Sequence, residues 1–239
     1  GGRVRPEDLA AQLAHDEAIA APAFLWDGFH TTQEVLREGM HPRLSGLGTA
    51  PDGKWCAVMP AVGIYHFADP EYAYLDGVEL ASVGQQRLGA DWAGLTAAGL
   101  AAAFDASVTA AAVSETVLKL AHANSKEAFY DLNFSMKHGR RLLQGTGRPD
   151  WDGWRQGLGR SYSRREINQY PANPLRFVLP LFEVLDNDPR ALMAVLLWPE
   201  NCGHDVNPVI AGALIGARHG SAAFPKEWLT WARPVAQPW

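Results

Sequence analysis

The sequence is poor in cysteine, in basic charge and in long apolar runs, and each shortage excludes a class of protein. Its two cysteines, Cys56 and Cys202, exclude a disulfide framework, leave one bridge possible and suit a reducing cytoplasm. The formal net charge of −5 argues against nucleic-acid binding, which needs a surplus of lysine and arginine. Apolar runs such as residues 97–104 are far shorter than the roughly 20 residues of a membrane span. We therefore expect a cytoplasmic protein that binds neither nucleic acid nor membrane.

What the sequence does contain is the composition of a globular, helical protein. Hydrophobic residues make up 47% of its 239 residues and charged residues 20%, which is enough apolar material for a sizeable core. Helix-start signals recur along the chain, whereas convincing strand alternation is absent. Helices are predicted from Pro6 onward and near residues 31–39, 70–88, 91–104, 108–121, 125–143, 174–185, 189–197 and 206–218, with a loop over 41–63. The sequence predicts one all-α domain, residues 1–239, of packed and mostly antiparallel helices.

The most informative stretch lies near the C-terminus. Residues 203–217 read GHDVNPVIAGALIGA, and residues 224–228 read FPKEW. These stretches resemble the C-terminal signature of ADP-ribosylglycohydrolases, which is an Asp-x-Asp-Thr loop, a small-residue helix of the type AGALLGA and a Pro-x-x-Trp closing segment. Gly212, Gly216 and Gly220 recur every fourth residue, which predicts a helix face that another backbone approaches closely. The loop before this helix is expected to direct backbone N–H groups into a common space.

Two further stretches agree with this resemblance. Residues 60–70, PAVGIYHFADP, are similar to the family's PVGL segment and the GDP that follows it, where a loop turns into a helix beneath the active site. Residues 2–10, GRVRPEDLA, look like the stretch that follows the family's first acidic motif. The resemblance therefore runs from about residue 2 to about residue 231. It implies that the N-terminal part of the family fold, with that acidic motif, is missing before Gly1.

The metal ligands of the family are altered in this sequence. Family enzymes bind two Mg²⁺ ions through carboxylates and threonine hydroxyls, and no Asp-Asp pair occurs here. If the Gly-x-Asp pattern is aligned, Asp205 keeps the first ligand, Asn207 replaces the second and Pro208 replaces threonine. If the helix is aligned, Gly203 replaces the first Asp, Asp205 keeps the second and Val206 replaces threonine. Mg²⁺ needs about six oxygen ligands, so we expect no cofactor unless the acidic motif exists upstream, with Asp205 as a weak metal ligand.

The resemblance and the residue chemistry together nominate the site. Asp205 precedes a helix whose N-terminus stabilises a carboxylate, so it is expected to orient a sugar hydroxyl or hold a single ion. His204 and His66 are the candidate acids or bases, because imidazole titrates near neutrality. A hydrogen-bonded structural role is the competing interpretation of both histidines. The residues expected to contact the ligand are Gly203, Asn207, Tyr65, Asp69, Trp55 and Trp26.

The implied activity is hydrolysis of a glycosidic bond in an ADP-ribose-like or nucleoside-like substrate, so the expected partner is a small nucleotide-like or sugar-like molecule. Two alternatives stay open, because a shared fold does not guarantee a shared function. One is a protein of this fold that is repurposed for metal-independent chemistry. The other is a non-catalytic binding or structural protein. Cys56 is predicted to be a buried thiol, since nothing near it in sequence identifies a base that would make it a nucleophile.

Overall fold

The architecture of the protein was obtained as a computed structural model, which describes residues 3–21, 27–49, 51, 53–144, 149–154, 174–197 and 206–232. Helices dominate these residues, and no β-strand occurs among them. The predicted all-α class is therefore confirmed. Within the same ranges, no helix has both the length and the apolar character that a membrane crossing requires.

The helices follow one another through short connections. In chain order they are α1 (Pro6–His15), α2 (Glu17–Ala20), α3 (Asp27–Arg37), α4 (Lys54–Val58), α5 (Pro60–Tyr65), α6 (Pro70–Ala81), α7 (Arg87–Ala103), α8 (Ala110–Asn124), α9 (Lys126–Leu143), α10 (Leu175–Leu185), α11 (Pro189–Leu196), α12 (Asn207–His219) and α13 (Lys226–Ala232). Residues 151–154 are also helical. Local chemistry sets several starts: Pro6 occupies the first turn of α1, and Asp188 accepts a hydrogen bond from the Ala191 N–H at the start of α11.

Helix α7 lies at the centre of the fold. It is buried without interruption from Gly89 to Ala103, and α4, α5, α6, α8 and α12 all pack against it. Small residues allow this crowding. At the crossing with α6, a Cβ added to Gly77 would lie 2.8 Å from the Gly94 Cα, so the two backbones nearly touch. The buried core therefore forms around a helix that carries little side-chain volume of its own.

The second half of the chain packs beside this centre. Helix α9 contacts α8 and α10, and α10 contacts α11 and α12. The Ser135 hydroxyl on α9 donates a hydrogen bond to the Arg176 carbonyl on α10. One turn further along, Arg140 forms an ion pair with Glu183 at 2.8 Å. These contacts fix the register of α9 against α10.

Two predicted boundaries were wrong between residues 41 and 88. Residues 41–63 were predicted to be a loop, but they contain α4 and α5. Burial of Trp55 and Cys56 holds α4 in the core, and Pro60 occupies the first turn of α5. The burial of Cys56, with 0% of its surface exposed, confirms the predicted buried thiol. The helix that begins at Pro70 ends at Ala81 instead of running to residue 88. Gly84 lies in the turn that follows, where an added Cβ would overlap the Trp55 indole.

The second helix, predicted near residues 31–39 and opened there by a threonine hydroxyl, begins earlier in the structure. Helix α3 starts at Asp27, and Thr32 lies inside it with its hydroxyl donating to the Gly28 carbonyl at 2.8 Å. Thr32 therefore satisfies its hydroxyl within the helix and is not the residue that caps it.

The predicted close approach at the glycines of α12 was also wrong. A Cβ on Gly212 would lie 3.5 Å from the Met193 Cε, and a Cβ on Gly216 would lie 3.7 Å from the Phe224 Cε2, which are ordinary contacts. Gly220 ends the helix with φ 69° and donates its N–H to the Gly216 carbonyl. The buried residues of this helix are Asn207, Ile210, Ala211, Leu214 and Ile215.

Candidate functional site

A cavity of about 390 Å³ lies between α1, α3, α4, α5 and α6. Apolar side chains form most of its described wall, including Leu9 of α1, Val62 of α5 and Leu80 of α6. Three residues predicted from the sequence to serve the site, Trp55, Tyr65 and His66, also line it. The fold therefore brings part of the predicted site together in one concave, largely apolar space.

Trp55 forms a wall of this cavity from inside α4. The prediction placed it in a loop, but it is helical and only 1% exposed. Its ring is stacked on Phe29 of α3, with centroids 4.6 Å apart and an interplanar angle of 7°. In the described part of the chain its indole N–H is buried without a hydrogen-bond partner. One face of the indole is therefore already covered by an aromatic ring, and it does not offer that face to a nucleobase.

His66 is held by a carboxylate that the sequence did not identify. Its Nε2 lies 2.8 Å from the Asp76 Oδ2 on α6, and both side chains are largely buried. A carboxylate that accepts the Nε2–H fixes the ring orientation and leaves Nδ1 as the other ring nitrogen. The expected neighbour Asp69 has a different role. It caps α6 by accepting a hydrogen bond from the Tyr72 N–H at 3.3 Å.

A network of ion pairs borders the cavity beside Asp76. The Arg3 guanidinium contacts both Asp76 and Glu79. Arg43 lies 2.7 Å from the Glu79 carboxylate and 2.9 Å from that of Glu7. Three carboxylates therefore share two guanidinium groups, and this network ties the chain before α1 and the 38–49 segment to α6. Because the arginines are about half exposed, each pair contributes modestly to stability.

The turn between α5 and α6 positions His66 and its neighbours. Ala68 has φ 58°, a conformation that non-glycine residues rarely adopt, and its N–H donates to the Ala101 carbonyl on α7 at 3.1 Å. Tyr65 packs edge-on against the His66 ring with centroids 4.9 Å apart. Tyr65 and Phe67 are 61% and 62% exposed; Tyr65 also lines the cavity, and the Phe67 ring packs on Phe104. The turn is thus anchored to the central helix while two of its aromatic side chains stay largely exposed.

The C-terminal motif enters the described structure only at its last residues. Gly203, His204 and Asp205 lie outside the described residues, and so does Trp26. Val206 and Asn207 are 4% and 2% exposed, and the helix they open packs against α4, α7 and α11. The predicted ligand residue Asn207 is therefore a buried residue at the start of α12.

The donors among the described residues do not form a two-Mg²⁺ centre. Among the described residues there is no group of three His, Cys, Asp or Glu side chains that could hold a metal ion. At the C-terminal motif, Asn207 supplies an amide oxygen, and Pro208 has no hydroxyl in place of threonine. Asp205 is the remaining carboxylate of that motif. A hard ion that needs about six oxygens would find too few of them there.

Sequence reasoning missed Asp76 and a second buried carboxylate, Asp91. Asp91 lies on α7 with 6% of its surface exposed and accepts a hydrogen bond from the Tyr74 hydroxyl at 3.2 Å. Burial raises the pKa of the Asp91 carboxyl, although hydrogen bonds from Ser125 and Tyr74 oppose that shift. The signal was present for Asp91, which is the one acidic residue of the largely apolar α7, whereas Asp76 shares α6 with Glu71 and Glu79 and was not marked in the same way. Such residues are buried only with partners.

The relationship of the chain to known proteins agrees with its motifs. Residues 2–234 match the family model described as ADP-ribosylglycohydrolase. This match covers nearly the whole chain and includes every residue of the candidate site. No curated protein and no solved structure matches the chain significantly.

Proposed function

The chain belongs to the ADP-ribosylglycohydrolase family, and on that premise we propose that it hydrolyses a glycosidic bond in an ADP-ribose-like or nucleoside-like substrate. One observation carries the proposal. Helix α5, which begins the family-like segment 60–70, and α12, which follows the C-terminal motif, both pack against α7. A helix adjoining each of the two cleft segments of the family resemblance therefore packs on the same buried helix, which supports a shared site.

Asp205 is assigned the role of binding the sugar. It directly precedes the buried Val206 and the first turn of α12, whose N-terminus stabilises a negative charge. A carboxylate that is stabilised as an anion accepts hydrogen bonds well and donates protons poorly. Asp205 is therefore suited to accept a hydrogen bond from a ribose hydroxyl next to the anomeric carbon.

The proton for the leaving group is assigned to a histidine, either His66 or His204. In the reaction, the oxygen of water bonds to the anomeric carbon, the glycosidic bond breaks, and the leaving group accepts a proton. The protonated imidazole supplies that proton and regains one from the attacking water. For His66, the hydrogen bond to Asp76 occupies Nε2 and makes Nδ1 the nitrogen available for this transfer.

The chemistry is proposed to proceed without a pair of Mg²⁺ ions. The C-terminal motif contributes one carboxylate and one amide, which is a poor ligand set for a hard divalent ion. Orientation of the sugar by Asp205 and proton transfer by a histidine supply catalysis that needs no metal. This is the metal-independent form of the family activity that the altered motif favours.

The test compares two carboxylate substitutions in the full chain. Binding of ADP-ribose is measured by calorimetry, and hydrolysis of an ADP-ribosylated peptide and of a nucleoside is measured by chromatography, with and without EDTA. Asp205→Asn is expected to abolish binding or turnover while circular dichroism and thermal stability stay unchanged. The control is Asp105→Asn, because Asp105 is an exposed carboxylate whose described partner is Ser107 in its own turn.

Each result selects one reading. Turnover that survives EDTA and disappears in Asp205→Asn supports the proposal, and turnover that EDTA abolishes indicates a metal enzyme. Binding of ADP-ribose without turnover of either substrate indicates a non-catalytic binding protein. If the wild-type chain neither binds ADP-ribose nor cleaves either substrate, the proposed function is refuted.

A further inference from the structure

We propose that Tyr74, Asp91 and Ser125 form a proton-operated lock, in which uptake of one proton by the buried Asp91 carboxylate fastens the corner between α8 and α9 to α6 and α7. Between 5% and 7% of the surface of each residue is exposed, so the cluster is shielded from water. None of the three residues belongs to the site assigned to the sugar, so the lock does not depend on the proposed function.

Ser125 is the corner residue through which α8 leads into α9. Its N–H donates to the Ala121 carbonyl in the last turn of α8 at 2.8 Å, and its carbonyl accepts from the Phe129 N–H in the first turn of α9 at 2.9 Å. A serine at the start of a helix usually caps it, but the Ser125 hydroxyl makes no capping bond and donates to Asp91 instead. The serine side chain therefore ties this corner to α7.

Tyr74 brings a further helix, α6, into the cluster. Its hydroxyl donates a hydrogen bond to the Asp91 Oδ1 at 3.2 Å. Burial and the neighbouring Asp91 charge raise the pKa of Tyr74 above its ordinary value of 10, so the phenol keeps its proton and remains a donor. One carboxylate on α7 therefore accepts hydrogen bonds from hydroxyl groups of two other parts of the fold.

The cluster lacks a buried cation that would balance an ionised Asp91. Among the described residues, the charged and titratable groups that act on Asp91 are Tyr74 and Arg87, and Arg87 is exposed one turn earlier on α7. The titratable residues of α6, α8 and α9 that lie near Tyr74 and Ser125 in the chain are exposed to solvent, namely Glu71, His122, Lys126 and Glu127. Because a buried charge without a counterion is costly, burial raises the pKa of Asp91, although the two hydroxyls and Arg87 oppose that shift.

Protonation of Asp91 and opening of the corner are linked through this cost. When the carboxylate is ionised, opening of the corner admits water and hydrates the charge, so ionisation favours the open form. When Asp91 takes up a proton from solvent, no charge remains to be hydrated and the closed form is favoured. The closed form therefore gains stability as the pH falls through the raised pKa, and the gain is complete below about 3.8, the ordinary pKa of aspartate.

The titration of Asp91 is measured in the full chain by the carbon-13 NMR resonance of its carboxyl group, which is identified by its absence from Asp91→Asn. The wild-type midpoint is expected above 3.8. Tyr74→Phe and Ser125→Ala each remove one donor to the charged form, so each should raise the midpoint by about one pH unit or more. The matched control is Tyr72→Phe, at a 61% exposed tyrosine of α6, which should leave the midpoint unchanged.

Opening of the corner is measured by hydrogen exchange of the Ser125 and Phe129 amides, with protection factors corrected for the pH dependence of intrinsic exchange. Protection of both amides should fall as Asp91 ionises, by up to about tenfold for each pH unit by which the Asp91 midpoint exceeds 3.8. In Asp91→Asn this dependence should disappear. The control Asp105→Asn, at an exposed carboxylate, should behave like the wild-type protein.

Three outcomes would overturn the lock. The first is a wild-type midpoint at or below 3.8, which would show that the closed fold does not favour proton uptake. The second is an unchanged midpoint in a folded hydroxyl variant; Tyr74→Phe and Ser125→Ala each remove one oxygen, so either suffices if the other fails to fold. The third is protection of the corner amides with the same pH dependence in the wild-type protein and in Asp91→Asn, which would leave a buried acid that does not control the corner.

Discussion

The crossing of α6 and α7 predicts that a single methyl group will destabilise the protein. Gly94→Ala would place a Cβ 2.7 Å from the Tyr74 carbonyl oxygen and 2.6 Å from the Val78 Cγ2. Because Val78 is β-branched and lies within α6, its methyl has little freedom to rotate away. The carbonyl oxygen belongs to the backbone of α6, so it can move only if the two helices separate.

The expected magnitude combines two opposing effects. Alanine is favoured over glycine in a helix interior by about 1 kcal/mol, whereas overpacking a tight contact costs about 1–3 kcal/mol. A clash with backbone should fall at the upper end of that range, which leaves a net loss of about 2 kcal/mol. For a chain of this length, each kcal/mol lowers Tm by about 2–4 °C. Gly94→Ala should therefore lower Tm by about 4–8 °C.

The assay is thermal unfolding followed by circular dichroism, with Gly216→Ala as the matched control. Gly216 lies in α12, and its added Cβ would be 3.7 Å from the Phe224 Cε2, so the substitution gains helix propensity without a clash. Its Tm should equal or exceed that of the wild-type protein. A Gly94→Ala variant as stable as Gly216→Ala would show that α6 and α7 are not packed as closely as the structure places them.

Three further predictions address titration and metal binding. Burial raises the folded-state pKa of Asp91 above its ordinary 3.8, so ionisation of this carboxyl destabilises the folded protein at any pH above about 3.8. Asp91→Asn should therefore raise Tm near neutral pH, and this gain should vanish below the unfolded-state pKa. Burial lowers the pKa of His138 below 6.5, so the folded protein should lose stability as the pH drops below 6.5. His138→Phe keeps the ring contacts with Phe134 and Trp154 and should make Tm fall less steeply with decreasing pH. An unchanged dependence of Tm on pH would contradict this. Calorimetric titration with Mg²⁺ should detect no pair of bound ions at micromolar affinity, and two such ions would overturn the ligand argument.

The longer helices were predictable because their signals are local. Helices α9 and α10 combine apolar periodicity with defined ends, and the structure begins both within one residue of the predicted start. The Asp69-Pro70 and Asp188-Pro189 pairs mark helix starts that the structure confirms, with each aspartate capping its helix. These features depend on residues within a few positions of one another.

The short helices α4 and α5 were not predictable in the same way. Helices of five and six residues are too short to show periodicity, and isolated helices of that length are unstable in water. They form because the fold buries Trp55 against Phe29 and packs α5 on α7. The sequence near Pro60 shows a break in the chain, but only the tertiary contacts determine that short helices flank it.

The pairings within the candidate site were not predictable from the sequence. The resemblance directed attention to His66, and the structure does place it on a cavity wall. Its partner Asp76 lies ten residues later on another helix, and their contact depends on the turn at Ala68, whose φ of 58° no residue pattern indicates. The neighbour in sequence, Asp69, caps a helix instead. Proximity along the chain was therefore a poor guide to the charge partner.

The surroundings of His66 bear on which histidine supplies the proton. A general acid must reach the leaving group beside the sugar that Asp205 binds, and it must exchange protons with water or substrate. His66 is tethered to α6 through Asp76 and lines a cavity whose described wall is mostly hydrocarbon, a setting with few groups that could return a proton to it. His204 adjoins Asp205 directly in the chain. His204 is therefore expected to supply the proton, and two variants decide between the candidates: His204→Gln should abolish hydrolysis, whereas loss of hydrolysis in His66→Gln instead would assign the acid to His66.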